Sequence, residues 1–532
     1  MKENRLFSPM AQAIRDAYKS GQEDETLEPI VLTDKKGNPI GRLKNGDYVI
    51  FYDIRGEREI ELSQSLIDKN FNHFPVEKDL EINLVTMIEY HPDLKTKVAF
   101  PPLGETKDTL SEVLSKHGIN QVKISESEKA IHVSYFFNGK RIKAFPGENT
   151  IVIPSPSNIK NYNEKPEMSI EKVSKTAIAQ LKDKKYDFFL VNFANVDVVG
   201  HIEDEKAVQK AVEAVDFYMG KVVKEALNSG ITVIVTADHG TVEEWLYPEG
   251  TINTGHTKNP VPFILIDPLY DSKEEIILER EGNLIDVAPT ILSLFNIPKP
   301  ESMTGKNLIL NNSPILKKRN RILLLILDGW GLREEKHGNM IAKANTPNFD
   351  YFWKNYPSTK LNASGESVGM PAGTVGNSEA GHLHLGAGRI IYSDRLRIDK
   401  AIEDGSFFQN KTLLRAMNKA RDSNKSLHLM GIVSFYSSHG TIKHLFALLK
   451  MVKNLNLKNV YIHSFLGRRG ERPESGAIYI EKVENEVKKL GVGKVVSVIG
   501  RYWALDREEN WDRIEKTYKM LVYGEGKHIF EL

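Results

Sequence analysis

The chain has 532 residues, 40% of them hydrophobic and 27% charged, with a formal net charge of +1, a composition that fits globular domains and supplies no global field to draw in nucleic acid or a membrane. It has no cysteine, which excludes disulfides, thiolate nucleophiles and zinc–thiolate sites and fits a reducing compartment. The length predicts at least two folding units. The opening Met1-Lys2-Glu3-Asn4-Arg5 lacks the apolar stretch of a signal peptide, and the longest apolar run, residues 322–327, is too short to span a bilayer, so a cytoplasmic protein is expected.

In chain order, residues 170–181 carry apolar side chains at helical spacing, and residues 186–193 read as a buried strand. A second amphipathic helix is predicted over 203–227, and a second buried strand over 231–236. Residues 308–320 are polar and end in basic residues, a surface connector. A third strand follows at 322–327, and a last helix is predicted over 514–522. Apolar runs alternating with amphipathic stretches predict α/β architecture with mostly parallel strands.

Each of the three strands runs directly into residues with oxygen or nitrogen donors: Asp197-Val198-Val199-Gly200-His201 after the first, Thr236-Ala237-Asp238-His239-Gly240 after the second, and Leu327-Asp328-Gly329 after the third. Functional groups in open α/β sheets collect beyond the carboxyl ends of strands. One such strand is most simply a core strand followed by a polar turn; three together make that reading improbable. Asp197 and His201 at i,i+4 share one face if the segment is helical and can chelate one ion, although a pair at that spacing is more often a surface pair. His256, alone in a polar loop, carries no signal of its own. Carboxylates and imidazoles suit Mn²⁺ or Zn²⁺, and a two-ion site clamps both oxygens of an in-line phosphoryl displacement.

These motifs, with Leu327-Asp328-Gly329-Trp330-Gly331, Gly376-Asn377-Ser378-Glu379-Ala380-Gly381-His382 and Asn195-Val196-Asp197, resemble those of the alkaline phosphatase superfamily and, within it, the cofactor-independent phosphoglycerate mutases. The resemblance extends over nearly the whole chain. It implies an alkaline-phosphatase-like three-layer domain with a mostly parallel sheet plus a second α/β substrate domain. One metal would be held by Asp197, His201 and His256, and the other by Asp328, Ser378, Asp238 and His239, with Ser378 as nucleophile. Two divalent cations are implied, Mn²⁺ first and Zn²⁺, Co²⁺ or Mg²⁺ as alternatives, without 2,3-bisphosphoglycerate. The implied partner is a small phosphorylated substrate rather than nucleic acid or membrane, handled by a monomer.

The order of the motifs differs from that family, which begins with the segment holding Asp328 and Ser378 and ends with the one holding Asp238 and His256. A circular permutation is therefore expected, with the old termini joined through the 311–320 connector. The expected domains are a substrate domain built from residues 1–100 and 394–532, and a metal-binding domain over 103–391.

The resemblance places substrate-binding cations at Arg55, Arg58, Lys129, His439, Arg469, Arg501 and Arg507. Guanidinium forks bind carboxylate and phosphate through paired hydrogen bonds, though any one arginine is by default a solvated surface residue. Two segments depart from the family: Gly470 occupies a position where an acidic residue is expected, with Glu471 beside it, and residues 434–441 are bulkier. The implied reaction is interconversion of 3-phosphoglycerate and 2-phosphoglycerate through a phosphoserine at Ser378. A metal-dependent phosphatase or a mutase for another small phosphorylated acid is one alternative, and a non-catalytic relative is another.

Overall fold

The computed structural model describes residues 8–269, 276–310, 319–435, 437–467 and 474–531. The opening Met1-Lys2-Glu3-Asn4-Arg5, the connector stretch 311–318, Tyr436, and the segment holding Arg469, Gly470 and Glu471 lie outside the described residues. The chain divides into two compact units. Unit 2 is continuous, Leu103–Ser393, whereas unit 1 is assembled from Met1–Pro102 and Asp394–Leu532. Each unit has its own eight-stranded sheet and its own apolar core.

The strands of unit 2 are β5 (Gln121–Glu126), β6 (Glu148–Ile153), β7 (Phe188–Phe193), β8 (Thr232–Thr236), β9 (Val261–Ile266), β10 (Glu281–Asn283), β11 (Ile322–Leu327) and β12 (Ser358–Asn362). Those of unit 1 are β1 (Ile30–Thr33), β2 (Tyr48–Phe51), β3 (Asn83–Ile88), β4 (Lys97–Phe100), β13 (Leu427–Ile432), β14 (Val460–Leu466), β15 (Val495–Gly500) and β16 (Lys527–Phe530). The sheet of unit 2 has the order β10-β12-β9-β8-β11-β7-β5-β6. Only β9 runs against its neighbours, pairing antiparallel with β8 and β12. In unit 1 the order is β16-β1-β15-β14-β13-β2-β3-β4, with β1 antiparallel to β15 and the remaining pairs parallel. The expected α/β architecture with mostly parallel strands is thus present in both units.

Strand β11 explains why the sheet of unit 2 forms as it does. Its six residues, all Ile or Leu, are fully buried, as a parallel strand covered on both faces requires. It lies between β7 and β8 in parallel register, Ile326 beside both Asn192 and Thr236 and Leu327 beside Phe193. The carboxyl ends of three adjacent strands therefore meet at one edge.

The expected helices are found at Ile170–Lys182, Glu205–Asn228 and Trp511–Tyr523. The long one begins two residues later than its apolar periodicity predicts because Asp204 caps it, its carboxylate accepting from the Ala207 N–H at 3.1 Å. Its buried side includes Val208, Ala211, Val212, Val215, Met219 and Val222, a stripe at three- and four-residue spacing. Among the described residues no helix is long and apolar enough to cross a membrane.

Candidate active site

The ends of β7, β8 and β11 supply the first carboxylates of the site in unit 2. Asp328 follows β11 directly, and its backbone O accepts from the Asp197 N–H at 3.1 Å, so two ligand-bearing segments are tied main chain to main chain. Gly329 makes this approach possible: it has φ +82°, and a Cβ there would lie 2.8 Å from the Asp197 backbone. Its N–H donates to Asp238 Oδ1 at 3.2 Å, joining the third segment. Asp197 sits in the short helix Asn195–Gly200 with His201 at its C-cap, so the i,i+4 pair does share a face, Nε2 to Oδ1 at 3.3 Å.

Ser378 arrives from another direction, as the first residue of the helix Ser378–Ala387. Asn377 caps that helix by accepting from the Ala380 N–H at 2.8 Å. A Cβ at Gly381 would come within 2.5 Å of the Asp238 carbonyl O, so the absent side chain lets the first turn press against the ligand strand. The Ser378 Oγ consequently receives a hydrogen bond from Lys129 Nζ at 2.7 Å, lies 2.9 Å from His239 Nε2 and donates to Asp328 Oδ1 at 3.2 Å. A helix N-terminus also favours a phosphate at this position.

Three histidines are held in one orientation. The Nδ1 atoms of His201, His256 and His239 face the carbonyl oxygens of Thr254, Gly376 and Gly240 at 2.6, 2.9 and 3.2 Å. A carbonyl only accepts, so each Nδ1 carries a proton and each ring turns its Nε2 into the site. His256 Nε2 lies 3.2 Å from Asp197 Oδ1. Donor atoms of Asp197, His239 and His256 lie within 4.8 Å of one another, as do those of Asp238, Asp328 and His382.

The electrostatics fit dications. Asp197, Asp238 and Asp328 are all buried, and among the described residues Lys129 is the one lysine or arginine paired with any of them, at 2.6 Å from Asp197 Oδ2 and 2.7 Å from Asp328 Oδ1. Burial works against the Lys129 charge, but the three aspartates outweigh it and raise its pKa. Burial would raise Asp197 and Asp238, yet the charges of Lys129 and His239 among others hold both below the ordinary range. Asp328 is pushed up, by burial first and then by the Asp238 charge. Asp238 Oδ2 has no hydrogen-bond partner. A cluster of hard oxygens and imidazole nitrogens with surplus negative charge is a divalent-cation site in its chemistry.

All seven expected metal-site residues, Asp197, His201, Asp238, His239, His256, Asp328 and Ser378, come together here. Lys129, expected among the substrate cations, lies inside the carboxylate cluster itself. Two participants were not singled out from sequence. Asn192 Nδ2 donates to Asp328 Oδ2 at 2.8 Å and lies 3.0 Å from His382 Nε2, and His382 Nδ1 lies 3.3 Å from Asp238 Oδ2. The signal for Asn192 was a lone amide in the otherwise apolar Phe-Phe-Leu-Val-Asn-Phe of β7.

Unit 1 gathers the arginines. Glu57 Oε1 accepts from Arg55 Nε at 2.7 Å and from Arg507 Nη1 at 2.8 Å. Arg55 Nη1 donates to Ser438 Oγ at 3.1 Å, and Arg58 Nη1 to the Leu505 carbonyl at 3.0 Å. Arg501 pairs with Glu25 at 2.8 Å. Burial and then the positive charges of Arg507, Arg55 and Arg501 lower the Arg58 pKa, so the four guanidiniums sense one another. His439 is buried, its Nδ1 2.7 Å from Glu59 Oε1.

Comparison with known proteins agrees with this chemistry. Residues 26–299 match the family described as the Metalloenzyme superfamily, and residues 398–531 match the one described as BPG-independent PGAM N-terminus. The 2,3-bisphosphoglycerate-independent phosphoglycerate mutase 1 of Methanosarcina barkeri is 42% identical over 299 residues, 56% of this chain and 56% of that protein. The 2,3-bisphosphoglycerate-independent phosphoglycerate mutases of Listeria innocua and Thermomicrobium roseum are 40% and 42% identical, over 58% and 57% of this chain and 59% and 58% of theirs. The chain thus spans less than two thirds of the length of each of these relatives. A crystal structure of Leishmania mexicana phosphoglycerate mutase at low cobalt concentration is 28% identical, covering 52% of this chain and 53% of that one with a TM-score of 0.36.

Proposed function

This chain belongs to the Metalloenzyme superfamily, and on that premise we propose that it interconverts 3-phosphoglycerate and 2-phosphoglycerate, an isomerisation in which Ser378 carries the phosphoryl group in transit. The observation that carries the reading is the triple hold on the Ser378 Oγ by Lys129, His239 and Asp328 at the N-terminus of a helix. The activity by which the relatives at 40–42% identity are named supports it.

In the first half-reaction the Ser378 Oγ gives up its proton and forms a bond to phosphorus while the bond from phosphorus to the glycerate C3 oxygen breaks, the proton released by the serine ending on that oxygen. In the second, the C2 hydroxyl of the same glycerate attacks the phosphoserine, the P–Oγ bond breaks, and the proton lost by that hydroxyl returns to Ser378. The Lys129 ammonium, already 2.7 Å from Oγ, stabilises negative charge as it develops there. The Asp197, Asp238, Asp328, His201, His239 and His256 side chains would hold two dications, Mn²⁺ before Zn²⁺, Co²⁺ or Mg²⁺. Such ions, when bound, favour the ionised serine and neutralise the transferring phosphoryl oxygens. The arginine cluster of Arg55, Arg58, Arg501 and Arg507 is assigned the substrate's anionic groups, for which paired guanidinium hydrogen bonds are suited.

The test is a conversion assay on Mn²⁺-loaded protein by ³¹P NMR. Appearance of 2-phosphoglycerate from 3-phosphoglycerate without inorganic phosphate is expected; phosphate release with no 2-phosphoglycerate would replace the mutase reading with a phosphatase. The permuted order belongs to the same proposal. A match described as an N-terminus falls at residues 398–531, after the superfamily match at 26–299, which supports it. A rearranged chain in which residues 319–531 precede residues 8–310 should fold and retain the conversion; failure of that chain to fold would sink the permutation while leaving the chemistry standing.

A further inference from the structure

Unit 1 contains two buried networks of histidine and carboxylate, and they differ in a way that points to a ligand. In the first, His428 Nδ1 meets His463 Nε2 at 2.9 Å, His428 Nε2 meets Asp47 Oδ2 at 3.1 Å, and His463 Nδ1 meets Ser497 Oγ at 2.7 Å. Asp47 also accepts from the Lys44 and Ser426 N–H groups at 2.9 and 3.1 Å. Every imidazole nitrogen and both carboxylate oxygens have partners, as an interior network needs.

The second consists of Asp53, Glu59 and His439, all three with 0% exposure. It is left open. Asp53 Oδ1 accepts from the Ile432 N–H at 2.8 Å and Glu59 Oε1 lies 2.7 Å from His439 Nδ1, but Asp53 Oδ2, Glu59 Oε2 and His439 Nε2 have no hydrogen-bond partner. Among the described residues neither carboxylate forms an ion pair with a lysine or arginine. Two buried carboxylates without a compensating cation are costly to keep as ions. One donor atom from each of the three residues falls within 4.8 Å of the other two, the same spacing found in the two clusters around Ser378.

The frame around these donors is fixed by hydrogen bonds to their main-chain carbonyls. The Ile54 N–H donates to the His439 carbonyl at 2.6 Å, the Tyr90 hydroxyl donates to the Asp53 carbonyl at 2.8 Å, and Glu59 leads into the helix Ile60–Ile67. Two segments distant in sequence, residues 53–59 and the loop at His439, therefore deliver two oxygens and one nitrogen to a common point on a rigid scaffold. We infer that Asp53, Glu59 and His439 form a third divalent-cation site, separate from the one at Ser378 and contained within unit 1. Its donor set of two carboxylates and one imidazole selects a borderline dication such as Mn²⁺ or Zn²⁺. Bound there, the ion cancels the charge of both carboxylates and ties the loop carrying His439 to the segment carrying Arg55 and Arg58.

Anomalous diffraction from the unmodified protein crystallised with Mn²⁺, measured on both sides of the manganese edge, tests this directly. A difference peak bounded by Asp53, Glu59 and His439, in addition to density among Asp197, Asp238 and Asp328, is expected. A map with the Ser378 centre filled and nothing at the second cluster overturns the inference. Because the two centres are read separately in one map, neither result depends on the proposed isomerisation. In solution, Asp53→Asn should lower the manganese content by about one equivalent per chain; a folded variant with unchanged content counts against the site, and the diffraction experiment decides if the variant does not fold.

Discussion

Unit 2 concentrates negative charge around Lys129, whereas unit 1 brings four guanidiniums together against Glu57 and Glu25. In unit 2 three buried aspartates surround Lys129; in unit 1 Arg55 and Arg507 converge on Glu57, with Arg58 and Arg501 close enough to be felt. A charge cluster that outnumbers its counterion is costly to keep without a ligand, so the surplus in unit 2 favours cations and that in unit 1 favours anions. Within unit 2 the surplus lies against a serine hydroxyl, which makes it a place for chemistry. The arginines of unit 1 present planar guanidinium forks, which suit the anion recognition proposed for them.

The contrast is broken most severely by Ser378→Ala. Removing the one hydroxyl between Lys129, His239 and Asp328 should lower kcat by more than about 10³-fold, with an unchanged far-UV circular dichroism spectrum; a variant with undiminished turnover would remove Ser378 from the reaction. Chelation comes next. Stripping divalent ions should abolish turnover and lower the thermal midpoint, and excess Mn²⁺ at about 100 times its dissociation constant should restore about 2.7 kcal/mol of stability. A midpoint insensitive to Mn²⁺ would mean that the aspartate cluster is satisfied by Lys129 alone.

On the cationic side, Arg55→Lys keeps the charge but loses the planar fork, and a roughly tenfold rise in KM with little change in kcat is the expected result. An unaltered KM would make Arg55 a structural partner of Glu57 and Ser438. The smallest effect concerns pH. Burial lowers the pKa of His428, and burial together with His428 lowers that of His463, so both stay neutral in the folded chain where the unfolded chain takes up protons. Stability is complete above pH about 6.5 and falls as pH drops below it, by up to about 1.4 kcal/mol per pH unit for each imidazole. Urea unfolding of unit 1 followed at pH 8 and pH 5.5 measures this, and replacing His463 by Asn should flatten the slope.

How much of this could be read from sequence follows from how local each feature is. Strands β7, β8 and β11 end where apolar runs meet Asp or Asn-Val-Asp, so the edge that carries the ligands was visible in composition alone. Helix limits shifted by a residue or two where a cap such as Asp204 overrode the periodicity. Lys129 gave no local sign of its place, because its partners Asp197, Asp328 and Ser378 are 68, 199 and 249 positions away. The same holds for Glu59 and His439, 380 positions apart. Asn192 and His382 stand inside the strand and the motif that were read, but only the pairing of β7 with β11 and the winding of the helix Ser378–Ala387 give them a role.

The continuity of unit 2 bears on biosynthesis. All of Leu103–Ser393 leaves the ribosome before the second part of unit 1 begins to appear. At roughly 5–20 residues per second the remaining stretch takes on the order of ten seconds to translate. The nascent sheet around β11 thus has time to collapse and collect its ions while β2, β3 and β4 still wait for β13 to arrive, and the arginines of unit 1 are assembled last.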